Sequence, residues 1–187
     1  MSVRAIVGAA KVNLGAVTYH FGGKEELFGE VMARKTEELR ALGTGILNSR
    51  KRPDEKLGEM LRIYALRVMH EDPGLKMLFS ETIAGGARLP TAALDGVVWR
   101  NRMFADIVRE GIRKGIFRKC DVECLSWNFF EMLSTHILCQ PLMERINRAG
   151  RMGRGGAYTK AYVNRVVEAA LDVFMNGLLA KPRTKKA

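Results

Sequence analysis

Asn13-Leu14-Gly15-Ala16-Val17-Thr18-Tyr19-His20-Phe21-Gly22-Gly23-Lys24-Glu25-Glu26-Leu27 decides how this chain is read. Asn13 predicts a helix N-cap, because its short side chain can accept from the unpaired N–H groups of a new helix. That helix runs to about His20, and Gly22-Gly23 breaks it. Lys24 opens a longer helix in which Leu27, Phe28, Val31, Met32 and Leu39 recur on one side, fading near Gly43–Gly45. Upstream, Ser2 predicts the cap of a short helix over Val3–Ala9, separated from the next by Ala10-Lys11-Val12. Two short helices joined by so tight a break form the helix-turn-helix pattern.

The spacing also sorts the faces. Ile6, Val7 and Ala10 share one side of the first helix, and Val12, Val17 and Phe21 make an inward set for the second. Leu14, Gly15, Ala16, Thr18 and Tyr19 are left outward. Small outward residues let a helix lie deep in a DNA major groove, whose width just admits one. Leu14 and Ala16 suit thymine methyls, and Thr18 suits a base edge or a phosphate. Tyr19, His20 and Lys24 suit phosphates, where the start of the helix at Lys24 adds free backbone N–H groups.

Beyond this head the pattern stays helical, with no period-2 runs of β-branched residues. Pro53-Asp54 restarts it, and Leu57, Leu61, Tyr64, Ala65 and Val68 give a helix ending by Asp72-Pro73. Gly74–Ala84 is a further helix, and Gly85-Gly86 and Pro90 mark a loop. A long helix follows from Thr91 to Lys114, with Gly115 its terminator. Asp121 caps a helix to about Cys139, Pro141 starts a short extra turn, and Gly150–Gly156 is a loop. Tyr158–Leu179 is the last long helix, and Lys181–Ala187 is a basic, fraying tail. The fold class is therefore all-α: a head with its linking helix over 1–45, and a larger bundle over 46–187.

Composition agrees with a packed DNA-binding protein. Of 187 residues, 47% are hydrophobic, enough for a real core. Lys and Arg number 31 against 20 acidic residues, for a net charge of +11, which favours a polyanionic partner. The surplus is uneven. Residues 1–24 hold Arg4, Lys11 and Lys24 and no Asp or Glu, and residues 140–187 hold ten Lys or Arg against Glu144, Glu168 and Asp172. No apolar run is long enough for a membrane span. The start lacks the features of a secretory signal. Three cysteines, Cys120, Cys124 and Cys139, are too few and too odd for a disulfide framework, so a cytoplasmic protein is expected.

Other signals are weak. Cys120 and Cys124 fall on opposite sides of the expected cap at Asp121, so no metal site is assigned. The GRMGRGG stretch lacks the Gly-Lys-Ser/Thr ending of a phosphate loop. His20, His70 and His136 are scattered with no nucleophile arranged beside them, so neither enzymatic activity nor a cofactor is expected.

Ser2 to Ile6, Ala9 to Lys24 and Glu25 to Leu27 together resemble the DNA-binding signature of the TetR family of bacterial regulators, most specifically in Tyr19-His20-Phe21-x-x-Lys24-Glu25-x-Leu27. The resemblance implies phosphate contacts at Tyr19, His20 and Lys24, and base-edge positions at Leu14, Gly15, Ala16 and Thr18. With the caps Ser2 and Asn13, these are the candidate DNA-binding residues. Two departures accompany it. Lys11 stands where the family has Gly in its turn, so a side chain takes a positive φ there at a cost of about 1 kcal/mol. The family also has a helix before the first one here, so the expectation is either a start upstream of Met1 or a head that lacks a brace.

The last helix is apolar around most of its girth, with a narrow polar stripe at Arg165, Glu168, Asp172 and Asn176, and Asp121–Cys139 is similar. A helix apolar on several sides is buried on several sides. Both helices are therefore expected to pair with their copies in a homodimer, as the resemblance also implies. A dimer presents two heads to a pseudo-palindromic operator. The family holds a small-molecule effector among its middle helices. The candidate lining is Tyr64, Met103, Phe104, Trp127 and Phe130, with Met69, Met77 and Phe79 beside them, suited to a largely apolar ligand. The expected protein is a ligand-responsive repressor. The rival is a dimeric ligand-binding protein with an incomplete head that does not bind DNA.

Overall fold

Ser2 opens the first helix as its sequence suggests, its hydroxyl accepting from the Ala5 N–H at 3.3 Å. In the computed structural model, which describes residues 2–13, 15–68, 72–150 and 159–179, eight helices follow in order. They are α1 (Val3–Ala10), α2 (Gly15–Phe21), α3 (Lys24–Leu47), α4 (Pro53–Leu66), α5 (Pro73–Ile83), α6 (Thr91–Arg113), α7 (Val122–Arg148) and α8 (Lys160–Leu178). Among the described residues the one β-type pairing is an isolated bridge between Phe117 and Leu179, which fastens the end of α8 to the α6–α7 connection. No helix among them is long and apolar enough to cross a membrane. Leu14, Met69, His70, 151–158 and the basic tail 181–187 lie outside the described residues, with the expectations placed on them.

Local chemistry sets most boundaries. Asp72 caps α5 by accepting from Gly74 and Leu75, Asp121 caps α7 through Cys124, and Thr159 caps α8 through Tyr162. Gly115, at φ 69, ends α6 in the left-handed conformation that a side chain resists. α1 ends the same way without a glycine. Lys11 sits at φ 56 and ψ 39, its N–H bonded to Gly8 O and the Val12 N–H to Val7 O, which closes the last turn.

α3 is the spine. It carries α2 at its start and packs against α4, α5 and α6 along its length. Two expectations about its neighbourhood are corrected. α3 does not fade at Gly43–Gly45 but continues to Leu47. Gly43 is where Trp99 and Met103 of α6 press on the helix, 2.7 Å from where a Cβ would stand, so tertiary packing overrides poor helix propensity. Likewise α7 does not stop near Cys139, and Pro141 lies inside it. Side-chain ties reach across the proline: Gln140 donates to Glu144, and Lys76 of α5 bonds Gln140. They help offset a break that costs about 3 kcal/mol in an unsupported helix.

The core gathers residues of α3 to α8 around Tyr64, Phe104, Phe129 and Phe130. Phe104, Phe129 and Phe174 stack edge-on or tilted at 4.6 to 6.1 Å between centroids, which joins α6, α7 and α8. Buried polar groups in this core are mostly satisfied. Ser126 donates to Asn101 Oδ1 at 2.7 Å, and Lys56 donates to Leu47 O while facing Glu110 at 3.6 Å. At the surface, Arg62 of α4 forks onto Glu168 of α8 at 2.7 and 2.9 Å. Lys35 bridges Glu38 and Asp72 at 2.9 Å each, tying α3 to the start of α5.

Candidate nucleic-acid interface and inner pocket

The head is thinly packed. Val7 of α1 and Val17 of α2 are its buried apolar residues, and Ile6 is half-buried. The inward set expected for α2 is smaller than its spacing suggests. Val12 is 49% exposed and Phe21 41% exposed, and Ala10 is exposed too. Val12 has left α1 by the turn. Phe21 borders a shallow open groove with Gly29, Ala33 and Pro90 instead of reaching a core.

The outward face of α2 is small and polar. Gly15, Thr18, Tyr19 and His20 are exposed and Ala16 is half-exposed. Tyr19 is 85% exposed, its ring edge-on to His20 at 4.9 Å. The Ala16 N–H donates to Asn13 O at 3.1 Å, so Asn13 does sit at the start of α2. Lys24 is exposed at the first position of α3, whose cap, Gly23, offers no side-chain hydrogen bond. Three N–H groups at that start, on Lys24, Glu25 and Glu26, therefore lack intrahelical partners. Exposed hydroxyl, imidazole, ammonium and backbone donors thus lie at the end of α2 and the start of α3, in a segment free of acidic side chains up to Glu25. Such a set binds an anionic backbone through hydrogen bonds and charge. Ser2 is engaged in capping α1.

A second feature lies inside the bundle. A pocket is bounded by Thr36, Leu39 and Arg40 of α3, Tyr64 of α4, Leu78, Phe79 and Thr82 of α5, and Ala93, Gly96, Val97, Trp99 and Arg100 of α6. The cavity is a narrow slot of about 30 Å³. Of the residues expected to line an effector site, Tyr64 reaches it. Phe130 lies just behind, beneath Arg100. Met103 and Phe104 are buried in the core, outside the lining. Trp127 is 51% exposed on α7, so the structure places it at the surface. Phe79 lines the slot, and Met77 is exposed.

Most of the lining was not expected from the sequence, and Arg100 is the charged residue among it that stacks on an aromatic wall. Its signal was present: it sits in the inward stripe of α6 between Gly96 and Phe104, a charge on an apolar face. The guanidinium stacks over Phe130 at 3.9 Å and faces Phe79 at 5.5 Å. Burial pushes its pKa down to about 10, which leaves it charged at neutral pH. Burial pushes the Tyr64 hydroxyl up to about 12, so that group stays protonated. No cluster of metal-ligating side chains occurs among the described residues.

By sequence, residues 1–31 match the family model for bacterial regulatory proteins of the tetR family. No curated protein matches the chain. By fold, the chain is similar to the ketosteroid transcriptional regulator KstR2 of Mycobacterium tuberculosis. Identity is 20%, 97% of this chain and 86% of that one are covered, and the TM-score is 0.70. It is similar to the TetR family transcriptional regulator PfmR from Thermus thermophilus at 23% identity, covering 95% and 88%, with a TM-score of 0.69. It is also similar to AibR, solved with isovaleryl coenzyme A and operator DNA, at 12% identity, covering 92% and 86%, with a TM-score of 0.69. The head, residues 1–31, thus matches the tetR family of bacterial regulatory proteins in sequence, and the chain shares the fold of these solved regulators over nearly its whole length.

Proposed function

We propose that this protein is a ligand-responsive transcriptional repressor that binds pseudo-palindromic operator DNA as a homodimer and lets go when a small molecule enters the inner slot. The observation that carries the reading is the continuous helix α3, which bears Lys24 and the α2 reading head at one end and lines the slot with Thr36, Leu39 and Arg40 further along. From Thr36 to Lys24 the helix runs about 18 Å, at 1.5 Å per residue. A tilt of about 10° pivoting at Thr36 displaces Lys24 by about 3 Å. In a dimer both heads move, against a half-site spacing of about 34 Å. A ligand that favours the tilted form then weakens operator binding, because the two ligands prefer different conformations. A protein of this fold, AibR, is solved in complex with isovaleryl coenzyme A and operator DNA, so the fold accommodates both kinds of ligand.

On DNA, Gly15, Ala16 and Thr18 face base edges, while Tyr19, His20 and Lys24 hold phosphates. Titration of the protein against its own upstream promoter DNA at several salt concentrations tests this. Specific, steeply salt-dependent binding is expected. Lys24→Ala should weaken all sites alike and reduce the salt slope by about 1, and Tyr19→Ala should also weaken all sites. Replacing Ala16 or Thr18 should change which site is preferred. Equal, weak affinity for every sequence would overturn the reading.

A further inference from the structure

We infer that the slot is built for a ligand with a carboxylate head on an apolar body, the carboxylate taken by Arg100 and Tyr64. The inference rests on the reading of the slot as the effector site and goes beyond it in naming the ligand's chemistry. Three buried side-chain polar atoms in the described protein make no hydrogen bond: Arg40 Nε, Tyr64 Oη and Arg100 Nε. All three residues line this one slot. Buried polar groups are ordinarily satisfied, so a cluster of unsatisfied donors around one cavity marks a missing acceptor.

The three differ in what they still need. Arg40 has the Glu37 carboxylate 3.6 Å from its Nε, so its charge is already answered. Arg100 has no such partner. No carboxylate stands within ion-pair distance of it among the described residues, and Glu131 acts on it only through space. Its stacking on Phe130 occupies one face of the guanidinium and leaves the N–H edge uncommitted. One unanswered positive charge calls for one negative charge, and a planar carboxylate matches the guanidinium fork in two parallel hydrogen bonds. The Tyr64 hydroxyl, fully buried and protonated, supplies a further donor. The other walls, Leu39, Leu78, Phe79, Val97 and Trp99, are apolar and suit a hydrocarbon body. The expectation of a merely apolar effector is thereby narrowed to an amphipathic acid.

The experiment is calorimetric titration of the full chain, without DNA, with straight-chain carboxylates from acetate to decanoate and with the alcohols of the same lengths. The best carboxylate should bind about tenfold or more tightly than its alcohol, the difference expected of a charge-assisted pair. Arg100→Gln should erase that preference while the alcohol still binds. Tyr64→Phe, which keeps the ring, should weaken the carboxylate and spare the alcohol, and it decides the matter if Arg100→Gln does not fold. Equal binding of acid and alcohol, no binding of any acid at millimolar concentration, or an acid preference untouched by Tyr64→Phe and Arg100→Gln would each overturn the inference. Operator release, measured separately, keeps the two readings apart. Acids that bind without releasing DNA leave the site standing and remove the ligand-responsive function, and alcohols that bind as well as acids and release DNA do the reverse.

Discussion

Lys11 holds the turn of the head in a backbone conformation that costs a side chain about 1 kcal/mol, and it is the one non-glycine residue with positive φ among the described residues. Replacing it with glycine removes that strain, so Lys11→Gly should raise stability by about 1 kcal/mol in urea unfolding. It also deletes a cation from the head and should lower affinity for random-sequence DNA. This residue was legible through the family resemblance, which puts Gly at the turn where Lys11 stands. The outward face of α2 was legible from the helical spacing of Gly15, Ala16, Thr18 and Tyr19. Val12 and Phe21 were not. Periodicity assigns every apolar residue to the inside, yet a helix as short as α2 buries only Val17. Arg100 was not legible in the opposite sense: aromatic and methionine side chains mark an apolar pocket in a sequence, and a single charge between them on the same helix face does not.

At the scale of elements, the approach of α3 to α6 is set by glycine. A methyl on Gly96 would overlap Thr36 Cγ2, and Thr36 itself is buried, its hydroxyl donating to Met32 O at 2.8 Å. Gly96→Ala should therefore destabilise the protein by about 1 to 3 kcal/mol through overpacking. Adding Thr36→Ser removes the obstructing methyl, keeps the hydroxyl bond, and should restore most of the loss; thermal unfolding of the three variants checks both. Such contacts explain which helices could be read in advance. Boundaries fixed by local chemistry, at Ser2, Asp121 and Gly115, fell where the sequence put them. The passage of α3 through Gly43 and of α7 through Pro141 depends on side chains from α6 and α5, distant in sequence, that local propensity does not contain.

At the scale of the molecule, α8 settles against α4, α6 and α7 by Val163, Val167, Leu171 and Phe174, and its polar stripe is partly answered by Arg62 on Glu168. Its far side still carries Val173, 75% exposed, while α7 exposes Trp127 and Leu142. The proposed dimer covers these residues. Val173→Glu should convert a dimer to a monomer in sedimentation, with its helical circular dichroism intact; an unchanged dimer would put the interface elsewhere. The narrowness of the slot bears on a different property, the dose at which the regulator answers. A ligand that fits only an opened slot shows an apparent affinity scaled by the fraction of molecules already open, so opening in about one molecule in a hundred raises the required concentration about a hundredfold. On the proposed reading, Thr36 against Gly96 sets that threshold. Loosening the contact makes the sensor more responsive and tightening it makes it less so, while Arg100 and Tyr64 go on deciding what it senses.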